Sequence, residues 1–527
     1  MLHNDLHRDF KRRQVSMFSL ACAIGTGLII GSGTALARGG PGSLLISYIL
    51  IGITVFFVMT ALGEMATFLP MMKGFATGWN YFLKYVINIP INLTAAGLII
   101  SFWRPDLNVS IWITVFGIVI VTINVLRVRV LGEVEFWLSL IKVITLVLLI
   151  LTCFIISMGG NPQHDHIGFR YWKSPGAFAP YLLKGNKGYF LGWWAAMCQT
   201  CFSYTGTEVV GMTFGEVPNP REKFPHAVRQ TLLRIVIFYI VGVFVLTLAI
   251  PYNSERLVGA TKSSTSAAAS PFVVAIASAG IDVFPDIINA ALMAFVLSAA
   301  MTGEVLRTVV EVPLMLTLNP QDIYVASRCV YGLAKDGQAP RILARVLNNG
   351  NPIMAVVLSS LFVALGYLNA TKSAATVFQY FVSLVTVFAV LNWIAILISF
   401  LSFRRALKAQ GIQLQELPYV GFLQPFGSYF ALFVSFTVLL FNGYDAFIPH
   451  FKASTFVLKY LGIVIFCGNV LGWKFFKRTK RIRATSADLV TGRQDTGMSE
   501  EEETDDVSRS GGVAAAGRRW ILHLTAK

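Results

Sequence analysis

The stretch Cys22-Ala-Ile-Gly-Thr-Gly-Leu-Ile-Ile-Gly-Ser-Gly33 decides how the rest of the chain is read. It is apolar enough to lie in a bilayer, yet it carries Gly25, Gly27, Gly31 and Gly33. Glycine weakens a helix and lets the backbone approach a ligand closely. In lipid, a broken helix survives only where it is buried in protein or lines a cavity. The N–H groups freed at a half-helix start attract an anionic group such as a carboxylate. Gly25, Thr26 and Gly27 are therefore candidates to cradle a substrate carboxylate. A second reading is a small-residue face that lets two helices pack closely.

Composition sets the class. Of 527 residues, 55% are hydrophobic and 13% are charged, and the mean hydropathy is +0.65. A soluble protein carries about twice that share of charge. The chain reads as an all-α membrane protein embedded in a lipid bilayer. The net charge of +16 does not indicate a nucleic-acid partner, because Lys and Arg cluster in short loops beside apolar spans. Cys198-Gln-Thr-Cys201 has redox-like spacing but apolar flanks and no companion pair, so its cysteines read as packing residues.

A spanning helix needs about 20 apolar residues. That rule gives about twelve transmembrane helices, near 16–37, 43–68, 77–102, 108–126, 134–158, 188–215, 230–251, 284–318, 352–370, 376–402, 428–448 and 456–475. Residues 1–15 form an N-terminal tail, 16–475 the transmembrane domain, and 476–527 a polar tail expected to be disordered. The first span is expected to act as an uncleaved signal anchor. Basic clusters at 8–13, 127–129, 221–234, 328–345, 404–408 and 474–483 fall on one side if both termini are cytoplasmic. The acidic run from Glu500 to Asp506 reads as a solvated tail or as a dock for cytoplasmic regulatory partners.

The sixth span carries a second interruption, Ser203-Tyr204-Thr205-Gly206-Thr207, followed by Glu208. Matching breaks five helices apart point to two inverted five-helix repeats, with broken helices 1 and 6, the site between them and two extra helices at the C-terminus. Ser203, Tyr204, Thr205, Gly206 and Thr207 join Gly25–Gly27 as candidate substrate-binding residues. Ionisable groups inside spans need a reason. Glu208 reads as a proton-coupling or amine-pairing carboxylate, or as a structural acid satisfied by unwound backbone. Lys142 could exchange a proton in place of a coupling cation, or snorkel to the interface. Glu64 closes the second span as an end-of-helix or gate residue. Asn124, Asn289 and Asn392 read as interhelical hydrogen-bonding groups, and Tyr204 and Trp103 as aromatic lids or, as is more usual for aromatics in spans, as packing or interface residues. The chain has no Gly-x-x-x-x-Gly-Lys-Ser/Thr loop, which argues against an ATP-driven pump. No metal-ligand cluster or nucleophile–base arrangement stands out, so neither a metal site nor an enzyme is expected.

These segments resemble the fungal amino-acid permeases of the amino acid–polyamine–organocation superfamily. The resemblance covers about residues 7–494. It rests on Gly25-Thr26-Gly27-Leu28, Gly39-Gly40-Pro41, Leu62-Gly63-Glu64-Met65-Ala66, Gly132-Glu133 with Lys142, Phe202-Ser203-Tyr204-Thr205-Gly206-Thr207-Glu208 and Tyr324-Val325-Ala326-Ser327-Arg328, among others. It implies import of amino acids across the plasma membrane, driven by the proton gradient with no other cofactor. It also implies that Lys142 matches the fifth-span lysine that replaces a sodium ion in proton-coupled relatives. The stretches Asn92–Gly97, Gly159–Asp165 and Ser266–Ser270 look most like the acidic (dicarboxylic) branch, which implies glutamate or aspartate as substrate. The alternatives are a broad-range permease, a non-transporting nutrient sensor, or an inactive splice or gene-model variant. Two departures motivate the last of these. The connection at about 71–77 is shorter than in the family, and residues 301–320 are an insertion carrying Glu304, Arg307, Glu311 and Pro313.

Overall fold

The computed structural model describes residues 25, 27–68, 74–100, 107–125, 128–209, 228–255, 257–258, 270–280, 321–347, 351–370, 374–479 and 482–489. Thr26, Trp103, Asn289, the 301–320 insertion, residues 71–73 and the acidic run lie outside them, as do the side chains of Glu133 and Glu135. Among the described residues the regular structure is helical, and six segments are long and apolar enough to cross a membrane.

The first two spans form one helical run. A π-helical turn, Gly27–Gly31, opens it, and α1 (Ser32–Phe68) continues it through a fold at Gly40. Gly40 has φ +82°, a conformation that side chains disfavour, and an added Cβ would lie 2.8 Å from the Ala179 nitrogen. Pro41 follows, with a fixed φ suited to starting the next helix. The chain thus turns back, and the second span runs to Phe68.

The remaining helices follow the expected order closely: α2 (Phe75–Ile100), α3 (Val109–Val125), α4 (Val128–Ser157), α5 (Gly185–Ser203) and α6 (Val228–Ala249). A short α7 (Pro271–Ser278) precedes α8 (Gln321–Lys335). Then come α9 (Ile353–Ser360), continued by a 3-10 segment to Ala370, α10 (Ala374–Ala409), α11 (Phe426–Phe441) and α12 (Ala453–Lys477). Helix α12 is peripheral and leaves Val457, Val464, Leu471 and Phe475 exposed, as expected of a lipid-facing surface.

Two segments differ from the sequence reading. The segment with Asp322 and Arg328, to which the sequence reading gave no helix, is the amphipathic helix α8, packed against α2. Its charged and polar residues masked it, because hydropathy cannot see a polar face satisfied inside protein. The tail also keeps structure further than expected. Residues 482–489 return to α10, where Gln410 Nε2 donates to the carbonyls of Ala484 (3.2 Å) and Ala487 (2.7 Å), and Leu489 is buried.

Candidate functional site

The two glycine-bearing stretches meet where one helix opens at Gly27 and another ends at Ser203. Helix α5 ends at Ser203, and residues 204–208 are turns, with Gly206 at φ +98°. Hydroxyl side chains that bond to nearby backbone favour such an exit from the helix. Thr205 Oγ1 donates to the Phe202 carbonyl at 2.8 Å and Thr207 Oγ1 to the Tyr204 carbonyl at 3.1 Å. Ser203 reaches across instead. Its hydroxyl donates to the carbonyl of Gly27 at 2.7 Å and accepts from Tyr48 at 2.8 Å. A Cβ on Gly27 would lie 2.6 Å from Ser203 Cα, so only glycine permits this backbone approach. Gly25 has no neighbour within 4 Å of such a Cβ. In this conformation the two breaks are closed directly on one another.

Tyr204 packs behind the break. It is fully buried, its ring stacks on Tyr239 at 4.5 Å between centroids, and its hydroxyl donates to the Tyr48 carbonyl at 2.9 Å.

Glu208 lies at the centre of the polar interior. One carboxylate oxygen is ion-paired with Lys84 of α2, and both side chains are buried. The other accepts from the Gly206 backbone at 3.2 Å and from Trp393 Nε1 of α10 at 3.4 Å. Sequence reading named Glu208 and missed Lys84. A usable signal existed: Asn80, Lys84, Asn88 and Asn92 recur every four residues in an otherwise apolar span, which places them on one helix face. Each finds a partner. Asn80 Nδ2 donates to the Phe388 carbonyl (2.9 Å) and Asn392 Oδ1 (2.8 Å), so Asn392 bonds between helices as expected. Asn88 donates to both carboxylate oxygens of Asp322 at 3.0 Å, and Asn92 to one at 2.7 Å. Asn124 instead donates within its own helix, to the Ile120 carbonyl at 3.0 Å.

Lys142 is buried on α4. Its charge, with that of Lys84, acts on Asp322. The interior therefore brings together two carboxylates, Glu208 and Asp322, with two ammonium groups.

Glu64 is buried at the Phe68 end of the second span. It pairs with Arg404 of α10, Nη2 to Oε2 at 2.9 Å, and accepts from the Gly421 backbone at 3.0 Å. This ties the second span to α10 and to the loop before α11. Toward the opposite end, a cavity of about 30 Å³ is lined by Arg38, Gln199, Gln379, Asn442, Asp445 and Lys459. That is room for a water or two. Cys198 and Cys201 are buried and unpaired, and no cluster of metal-ligating residues occurs among the described residues.

Apolar helices whose ends meet beside a polar interior of buried ion pairs fit a helical membrane transporter. The amino acid permease family description matches residues 14–307 and 321–484, and the chain belongs to that family. An uncharacterized amino-acid permease of Schizosaccharomyces pombe is 47% identical over 92% of each chain. The dicarboxylic amino acid permease of Saccharomyces cerevisiae is 42% identical over 94% of this chain and 82% of that one. The proline-specific permease of Emericella nidulans is 36% identical over 94% and 90%. These relatives are transporters, not enzymes. In fold, the chain resembles the crystal structure of a manganese transporter mutant from Eremococcus coleocola, with a TM-score of 0.53, 9% identity, and coverage of 88% of this chain and 94% of that one.

Proposed function

We propose that the protein imports amino acids across the plasma membrane by proton symport, with glutamate and aspartate as its leading substrates and both termini in the cytoplasm. The observation that carries this reading is the buried Glu208, which touches the unwound backbone at Gly206 and a lysine at once. The backbone around residues 25–27 and 203–207 takes the α-carboxylate and α-amine. Glu208 takes and gives the coupled proton, and Lys142 stands where a coupling cation would otherwise sit. Glu64 with Arg404 holds one end of the bundle shut. The acidic preference is supported by the likeness to the dicarboxylic permease. Uptake of labelled glutamate in cells lacking their own permeases, with and without a proton gradient, tests it. Uptake indifferent to the gradient contradicts the coupling.

A second reading has its own observation. The family match breaks between 307 and 321, close to the 301–320 insertion, which places charges and a proline beside an apolar span. On that reading the chain is an inactive splice product. Deleting Met301–Pro320 and restoring a full connection before Phe75 then rescues uptake.

A further inference from the structure

Lys84 has a role that the coupling reading leaves open. Its ammonium is buried, with the rings of Tyr81 and Tyr85 at 5.4 and 4.7 Å and the Tyr85 hydroxyl at 3.4 Å. Aromatic faces attract a cation but do not neutralise it. A buried ammonium that loses its carboxylate partner is strongly destabilised. Here the protein's own Glu208 supplies that carboxylate, from a position one residue beyond the unwound turn that the proposed function gives to the substrate backbone.

We propose that Lys84 is the docking cation for the side-chain carboxylate of an anionic amino acid, and that Glu208 is its internal, displaceable occupant. The proposal rests on the reading of the chain as an acidic amino-acid carrier. A proton added to Glu208 makes it a neutral acid and ends its pairing with Lys84. The substrate carboxylate then pairs with Lys84 in its place. The charge of the site is the same before and after, and one proton enters with one side-chain carboxylate. On release the substrate leaves, Glu208 loses its proton and the internal pair re-forms. A neutral amino acid that displaces Glu208 takes the paired carboxylate from Lys84 and supplies none in return.

The groups that set this exchange come from several helices. Tyr81 and Tyr85 flank Lys84 on α2, Trp393 donates to Glu208 from α10, and Gly206 donates from the turn itself. Asp322 of α8 and Lys142 of α4 complete the charge set, with Asn88 and Asn92 holding Asp322.

The test compares uptake of labelled L-glutamate and L-glutamine by the wild type, Lys84→Met and the charge-free pair Lys84→Met with Glu208→Gln. The wild type prefers glutamate. In the double variant the ratio of glutamate to glutamine uptake falls by about a hundredfold, as expected when one member of a buried charge pair is removed. A wild type that takes up no acidic amino acid overturns both this proposal and the reading it rests on. A wild type that prefers glutamate, with a double variant that keeps the preference, overturns the role of Lys84 alone. If the double variant carries neither substrate, melting of the purified protein decides, because a bound ligand stabilises the folded state. The proposal requires that glutamate, which stabilises the wild type more than glutamine does, stabilise the double variant no more than glutamine. A double variant still stabilised more by glutamate than by glutamine overturns it.

Discussion

The hydroxyl of Ser203 donates to the carbonyl of Gly27, 176 residues earlier, at 2.7 Å. One hydrogen bond therefore joins the interruption in the first span to the interruption in the sixth. Its donor is held in turn by the Tyr48 hydroxyl. On the proposed function, admitting a substrate has to break this contact.

Gly27→Ala places a methyl group 2.6 Å from Ser203 Cα. Overpacking of this kind costs roughly 1–3 kcal/mol, and the helices must separate to relieve it. The expected outcome is a strong fall in uptake with a lowered melting temperature. Gly25→Ala meets nothing within 4 Å and leaves the melting temperature near that of the wild type. Equal effects of the two substitutions would count against the close approach.

Glu208→Gln leaves the Lys84 ammonium buried without its counter-ion. Breaking a buried pair costs roughly 3–5 kcal/mol. Adding Lys84→Met removes the stranded charge and recovers part of that loss. Thermal melts of the two single variants and the double variant measure the coupling, expected at about 0.5–3 kcal/mol. Additive effects would mean that the two side chains do not act as a pair.

Arg404→Ala strands the carboxylate of Glu64, which is wholly buried. A loss of roughly 3–5 kcal/mol is expected, with the Gly421 backbone still holding one oxygen. If Glu64 with Arg404 also closes one end of the transporter, the variant leaks substrate down its gradient. Efflux from preloaded vesicles measures this, and a tight vesicle would limit the pair to a structural role.

The connection after α4 offers a test by pH. Asp165 and Arg170 form a two-pronged pair at 2.5 and 2.6 Å. The Arg170 hydrogen bonds hold the Asp165 carboxyl below its usual range. A depressed carboxyl contributes stability above its unfolded value, near about 3.9, and loses it as pH falls. The difference in melting temperature between the wild type and Arg170→Gln therefore shrinks on acidification. A difference that grows would contradict the pairing. The pair is exposed, so the effect is small.

The fold was legible because lipid imposes a simple rule on apolar length, and glycines and hydroxyl side chains inside such lengths are conspicuous. Gly27, Ser203 and Gly206 stood out for that reason, as did Glu208. The partners did not. Lys84 sits among Tyr81, Phe82 and Tyr85, where a single lysine resembles a residue near a helix end. Only its repeat with Asn80, Asn88 and Asn92 marks an inward face. Asp322 follows directly on the 301–320 insertion, and nothing in the sequence around it gave it a role in the site. That this inward face of α2 meets Glu208 is a matter of tertiary packing, which the repeat does not encode.

The most direct measurement is a structure of the protein determined by electron cryomicroscopy in saturating L-glutamate. The account predicts ligand density against the main chain of residues 25–27 and 203–207, with the Gly27–Ser203 contact opened and the side-chain carboxylate at Lys84. Ligand bound only in the cavity of Arg38 and Lys459, with the Gly27–Ser203 hydrogen bond intact, would contradict it.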